Sequence, residues 1–206
     1  MITKIYPQNP NEREVRKVAN ILADGGVAII PTDTIYAFVA GKDHPKAVQQ
    51  IAQLKGFSVK QARYSLLCDS LSQLSEHVRP LSRDTFALLK ASLPGPFTFI
   101  LDANNNVPRN YQNQNKSIGV RVPDNEICRA IIEAVGTPLV STSVRRLNDE
   151  TEVEYITDPE LIHEVFGRDV TIVVDGGIGF DEPSTVVDCT SGQFDIIRQG
   201  KGMINS

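Results

Sequence analysis

Eight short apolar runs recur along the chain: "VAII" (27–30), "YSLLC" (64–68), "FTFIL" (97–101), "IGVRV" (118–122), "PLVST" (138–142), "VTIVVD" (170–175), "STVVDCT" (184–190) and "FDIIR" (194–198). Runs this short, rich in β-branched and aromatic residues, suit strands. Between them apolar residues return every three or four positions. Val15, Val18, Ala19 and Leu22 lead to a stop at Asp24-Gly25-Gly26, and Ala47, Val48, Ile51 and Leu54 follow Asp43 as cap and Pro45 in the first turn. Leu71 with Leu74, Phe86 with Leu89 after Ser82, Ile127 to Ala134 before Gly136, and Leu161 to Val165 after Asp158-Pro159 give four more helices. Strands interleaved with amphipathic helices restrict the fold to the α/β class. The order is not a clean βαβ series, and the last strands can pair antiparallel. The expectation is a twisted, open, mixed sheet with helices on its faces and ligands at its strand ends.

A length of 206 residues, 41% apolar and 22% charged, fits a single domain over 1–206. Lys plus Arg is 21 and Asp plus Glu is 25, a net charge of −4, which excludes a globally basic nucleic-acid coat and leaves only a local basic patch. Cys68, Cys128 and Cys189 are far apart and odd in number, without zinc or disulfide spacing, and are expected to be buried in a reducing compartment. The opening "MITKIYPQNPNEREVRK" has no signal-peptide core, and no segment approaches the ~20 apolar residues of a membrane span, so the expected location is cytoplasmic. No repeat is present. The asparagine-rich stretch 102–116 is expected to be a mobile loop.

Polar residues gather at the ends of the apolar runs. In "PTDTIY" (31–36) Thr32, Asp33 and Thr34 either cap a turn or face a ligand. "LPGPFTF" (93–99) puts Thr98 on the polar face of a strand. Arg121, between the valines of "GVRVP", needs an anion, either a protein carboxylate or a ligand's. "LVSTSVRR" (139–146) places Ser141 and Ser143 at a strand end ahead of Arg145 and Arg146, a composition suited to phosphate. Ser184 and Thr185 begin another strand, and Arg198 closes the last one. Gly176, Gly177 and Gly179 lack dinucleotide-loop spacing and no Walker-type loop exists. His44, His77 and His163 lack metal-ligand spacing and are read as surface or helix-end residues.

Taken in order, "PTDTIY", "LKG" (54–56), "LPGPFTF", "GVRVP", "STS" (141–143), "DGG" (175–177), "PSTVVD" (183–188) and "IIRQG" (196–200) resemble the YrdC/YciO family over roughly residues 10–200. That family's synthases make threonylcarbamoyl-AMP for the threonylcarbamoyladenosine modification of tRNA. The resemblance implies a YrdC/RibB-like twisted sheet with a large concave pocket for ATP, L-threonine and Mg2+. In the implied chemistry the threonine amine takes up carbon dioxide from bicarbonate, and the carbamate attacks the α-phosphate of ATP, releasing pyrophosphate. Arg121 would hold the threonine carboxylate, with Thr32, Thr34, Thr98 and Ser184 at the substrate end. Lys55, Ser141, Ser143 and Arg198 would meet the nucleotide.

Two departures matter. The synthases typically carry Lys-x-Arg and Ser-x-Asn, where this chain reads Lys55-Gly56-Phe57 and Ser143-Val144-Arg145. An arginine lost from a desolvated phosphate site removes a clamp of a few kcal/mol. Arg63, Arg145 or Arg146 is expected to restore the charge. These changes bring the chain closer to the YciO branch, and the extra C-terminal domain of the longer synthases is not expected. Two further readings stay open: an RNA-binding protein that uses the cavity for double-stranded RNA or tRNA, and a hydrolase of the modified nucleoside with Asp33 as general base.

Overall fold

Asn11 starts the first helix by accepting hydrogen bonds from the Arg13 and Glu14 amides, and α1 (Glu12–Ala23) then buries Val15, Val18, Ala19 and Leu22. The computed structural model that shows this describes residues 1–148 and 152–204; the side chains of 146–154 are not among those described. β1 (Ile2–Lys4) precedes α1, and β2 (Ala28–Ile30) and β3 (Ala37–Gly41) follow it. Next come α2 (Pro45–Leu54), β4 (Ser65–Leu67), α3 (Leu71–Ser75), α4 (Arg83–Ser92), β5 (Phe97–Asp102), β6 (Ser117–Arg121), α5 (Glu126–Val135) and β7 (Leu139–Ser143). A hairpin of β8 (Arg145–Asn148) and β9 (Glu152–Tyr155), then α6 (Pro159–Phe166), β10 (Ile172–Asp175), β11 (Thr185–Asp188) and β12 (Asp195–Arg198), complete the order.

Ten strands form one mixed sheet in the order β1-β10-β2-β3-β7-β4-β6-β5-β11-β12, with β8 and β9 paired separately. The pairs β1–β10, β10–β2, β4–β6 and β5–β11 are parallel and the other five antiparallel, including the expected β11–β12. Helices lie on both faces. On one, Val27, Ile29, Phe38, Leu66, Val120 and Phe99 pack with Ile51 of α2, Leu74 of α3, Leu89 of α4 and Ile162 of α6. On the other, Ala28, Ile30, Ala37, Val39, Leu67 and Leu139 pack with α1 and α5. All three cysteines are buried, as their spacing suggested. No helix among the described residues is long and apolar enough to cross a membrane.

Three details differ from the sequence reading. His44, not Asp43, is the N-cap of α2; Pro45 at the first helical position pushes the residue before it out of the helical region, and Asp43 pairs with Lys42. Residues 102–116 are a tied loop: Val107 and Tyr111 are buried, Asn104 donates to the Glu76 and Val78 carbonyls, and Ala103 bonds Lys116. Its asparagines satisfy main-chain groups, a use that composition cannot distinguish from solvation. His77 lies just past the end of α3, as a helix-end residue should, but is buried and not on the surface, with Nδ1 2.9 Å from the Gln73 carbonyl.

Candidate functional site

Residues directly opposite one another in a sheet share a face. Ser65 lies opposite both Gly119 and Ser141, Ser141 opposite Val39, Ser143 opposite Ala37, and Arg121 opposite Leu67. All therefore stand on the face that α1 and α5 cover. Those two helices reach the apolar residues of β2, β3, β10, Leu67 and Leu139. Beyond them the same face turns polar, with Ser65, Gly119, Arg121, Ser141, Ser143 and Thr98. Thr98 is placed there by Gly119, since a Cβ at that glycine would lie 2.9 Å from the Thr98 methyl and 2.8 Å from Ser65 Oγ. One sheet face thus has an apolar half under helices and a polar half lined by small side chains.

Arg121 organises one side of the polar half. Its Nη2 donates to Asp33 Oδ1 at 2.8 Å and to Thr34 Oγ1 at 2.9 Å, with both charged side chains buried. The other Asp33 oxygen accepts from the Asp124 amide, and the amide of the Asn125 side chain donates to the Thr32 carbonyl. Thr32 Oγ1 donates to the Ile35 carbonyl and accepts from the Thr34 amide. The hydroxyls of "PTDTIY" thus build a turn, and the turn presents Asp33 to the guanidinium. The anion that Arg121 needs is supplied by the protein, but only in part: Arg121 Nε is buried with no partner among the described residues. With both carboxylate oxygens engaged, Asp33 is poorly placed to be the general base of a hydrolase.

Thr98 Oγ1 and Ser184 Oγ are 2.7 Å apart. Arg198, whose stem is exposed, turns its head inward and donates to the Ser184 carbonyl through Nη2 at 2.7 Å and Nε at 3.2 Å. Partial burial, with Arg121 among its neighbours, lowers the Arg198 pKa below its ordinary value. A third group lies at the end of β7. Lys55 is 5% exposed and donates through Nζ to the Ser143 carbonyl at 2.6 Å, while Ser141 Oγ donates to the Ser65 carbonyl. Burial, and then nearby Arg145, push the Lys55 pKa down to about 7.

The structure gathers Thr32, Thr34 and Arg121 in one cluster, Thr98, Ser184 and Arg198 in a second, and Lys55, Ser141 and Ser143 near the end of β7. Phe57 is half exposed in the turn after α2, Arg63 is exposed, Arg145 is Lys55's neighbour, and the Arg146 side chain lies outside the described residues. No trio of His, Cys, Asp or Glu among the described residues could hold a metal ion. The sequence reading missed Lys201, whose Nζ donates to the Asp33 carbonyl at 2.9 Å. Its flanking Gly200 and Gly202, where the backbone presses on its neighbours, were the available signal. It also missed Tyr36 as a brace: the phenol donates to the Gly177 carbonyl and accepts from the Gly176 amide.

A family model described as telomere recombination, covering the Sua5, YciO and YrdC proteins, matches residues 20–200. Escherichia coli YciO is 34% identical over 200 residues, 96% of this chain and 94% of its own. The crystal structure of E. coli YciO matches with a TM-score of 0.90 at 32% identity, covering 98% of this chain and 97% of that one. A threonylcarbamoyl-AMP synthase of Vibrio parahaemolyticus is 31% identical over 89% of this chain and 97% of its own. P. abyssi Sua5 complexed with L-threonine has a TM-score of 0.88 at 25% identity, over 97% of this chain and 57% of that one. By family model, sequence identity and fold, the chain belongs to the Sua5/YciO/YrdC family.

Proposed function

We propose that the polar half of the sheet face binds L-threonine and MgATP and forms threonylcarbamoyl-adenylate from them with bicarbonate, for tRNA modification. The observation that carries this reading is the buried guanidinium of Arg121, with Nη2 engaged by Asp33 and Thr34 and Nε without a partner among the described residues. A buried donor left open beside small hydroxyls suits a ligand carboxylate. The threonine complex of P. abyssi Sua5 and the synthase relative support threonine as that ligand.

In this reading Arg121 takes the threonine carboxylate, and Thr98 and Ser184 face the amino acid's polar groups. Thr32 and Thr34 act by holding the wall. The carbamate forms on the threonine nitrogen and attacks the α-phosphorus; the bond to pyrophosphate breaks, and bicarbonate loses water. Lys55, Ser143 and Arg198 neutralise the charge that develops on the phosphates. Magnesium enters with the triphosphate as part of the substrate. With Phe57 in place of a clamping arginine, turnover is slower than in the synthases.

The test is pyrophosphate release by the purified protein with MgATP and bicarbonate, with and without L-threonine. A Thr98→Val variant, equal in volume, runs alongside. Threonine-dependent release that falls about tenfold or more in the variant, the loss of one charge-assisted or neutral hydrogen bond made in the transition state, is the expected result. A folded wild-type protein with no threonine-dependent release overturns the reading.

A further inference from the structure

After β12 the chain folds back beneath the start of β11. The Lys201 amide donates to the Pro183 carbonyl at 2.9 Å, and the Gly200 amide to Thr185 Oγ1 at 2.9 Å. Thr185 Oγ1 in turn donates to the Gly202 carbonyl at 2.6 Å, and Gln199 Nε2 donates to the carbonyls of Gly200 and Gly202. There is no room for side chains on either side of Lys201. A Cβ at Gly200 would come within 2.2 Å of the Pro183 carbonyl oxygen, and one at Gly202 within 2.6 Å of the Phe97 ring. The backbone of residues 199–202 is therefore fixed, and the direction in which Lys201 leaves it is fixed too.

That direction leads to the site. Lys201 Nζ lies 2.9 Å from the Asp33 carbonyl oxygen and 3.1 Å from the centre of the Phe180 ring. The Phe180 amide approaches the Thr34 carbonyl at 3.3 Å. One ammonium thus joins three separate segments: the C-terminal strap, the loop before β11 and the turn after β2. A lysine on a surface ordinarily extends its charge into water. Here no carboxylate among the described residues is within ion-pair distance of it, and its partners are a peptide carbonyl and an aromatic face.

We infer that Lys201 is a positioning residue for Arg121, acting through the main chain of Asp33, and so governs affinity at the threonine end of the site. The inference rests on the function proposed above. By holding the carbonyl of Asp33, Lys201 leaves the carboxylate of the same residue free to orient the guanidinium. Without the ammonium, the turn keeps the internal bonds of Thr32 and the contact of its Thr34 carbonyl with the Phe180 amide, but loses its tie to the strap. Arg121 then loses the fixed orientation in which Nε is open to a ligand. The ammonium bonds Asp33 and Phe180, whereas the cations at the nucleotide end, Lys55 and Arg198, bond Ser143 and Ser184.

The experiment compares wild type, Lys201→Met, which keeps the apolar stem, and Lys201→Arg, which keeps the charge. L-threonine and ATP are titrated separately by calorimetry, and amide hydrogen exchange is followed in peptides covering residues 32–36 and 180–184. In Lys201→Met the threonine Kd rises about tenfold, one lost charge-assisted contact, while the ATP Kd stays within about twofold. Exchange at 32–36 and 180–184 accelerates without a matching rise in the peptides of α1 and β10, and Lys201→Arg recovers most of both effects. Unchanged exchange at 32–36, or an equal loss of both ligands, overturns the inference. If wild type binds neither ligand, the proposed function falls on that result alone, and the exchange pattern still decides whether Lys201 holds the turn.

Discussion

Arg121 and Asp33 form a buried pair at 2.8 Å, and such pairs are felt most when half is removed. Arg121→Met fills similar space but leaves the Asp33 carboxylate with the Asp124 amide as its remaining polar contact. The expected loss is about 3–5 kcal/mol of unfolding free energy, read from urea denaturation at neutral pH. A loss below about 1 kcal/mol would mean that water replaces the guanidinium at once, in conflict with a turn that excludes solvent. Sequence alone showed that a cation stood among valines and needed an anion. It could not choose Asp33, because the two residues are 88 positions apart and meet only when the loop after β2 folds over the end of β6.

Strand β6 shows why the polar half stays open. Gly119 faces Ser65 and Thr98 so closely that any side chain would displace them. Gly119→Ala is expected to cost about 1–3 kcal/mol, as overpacking does, and to shift the Thr98 hydroxyl away from Ser184. Chemical denaturation gives the first figure. Threonine affinity falls further than stability explains, and an alanine tolerated without loss of either would show the face to be looser than drawn. The longer elements were legible because their apolar period is clear: α5, β5 and β6 lie within a residue of their expected bounds, and α1 ends at Ala23, beside its expected stop. β3, "AFVAG", was missed because alanine and glycine carry little strand preference, and it is specified by burial between β2 and β7. β8 and β9 were missed because β8 has a single apolar residue, Leu147, and β9, although Glu152 to Tyr155 alternate, is only four residues long. The candidate site residues were legible in the sequence because hydroxyls and arginines at strand ends stand out, whereas Lys201 sits in a tail with no periodicity.

Burying Lys55 affects the stability of the whole molecule. Its pKa falls from 10.5 to about 7 on folding, so between those values the unfolded chain holds a proton that the folded one has released. The penalty is full below about pH 7 and is relieved as pH rises toward 10, by at most about 1.4 kcal/mol per unit. Wild type should therefore gain stability relative to Lys55→Met between pH 7 and 9, measured by denaturant titration of both proteins at each pH. Parallel profiles for the two would show that Lys55 keeps its proton in the folded state.

The interleaved strand order also bears on how the protein can be made. Of the neighbours in the large sheet, β1 waits for β10, β4 for β6 and β7, and β5 for β6 and β11. When a ribosome has made the first half of the chain, β2 with β3 is the one pairing in that sheet whose partners both exist. Leu66 and Phe99, buried in the finished protein, then emerge with no sheet to enter. A fold assembled from such distant parts closes late, and its nascent half depends on protection from other chains until β6 and β7 have left the exit tunnel.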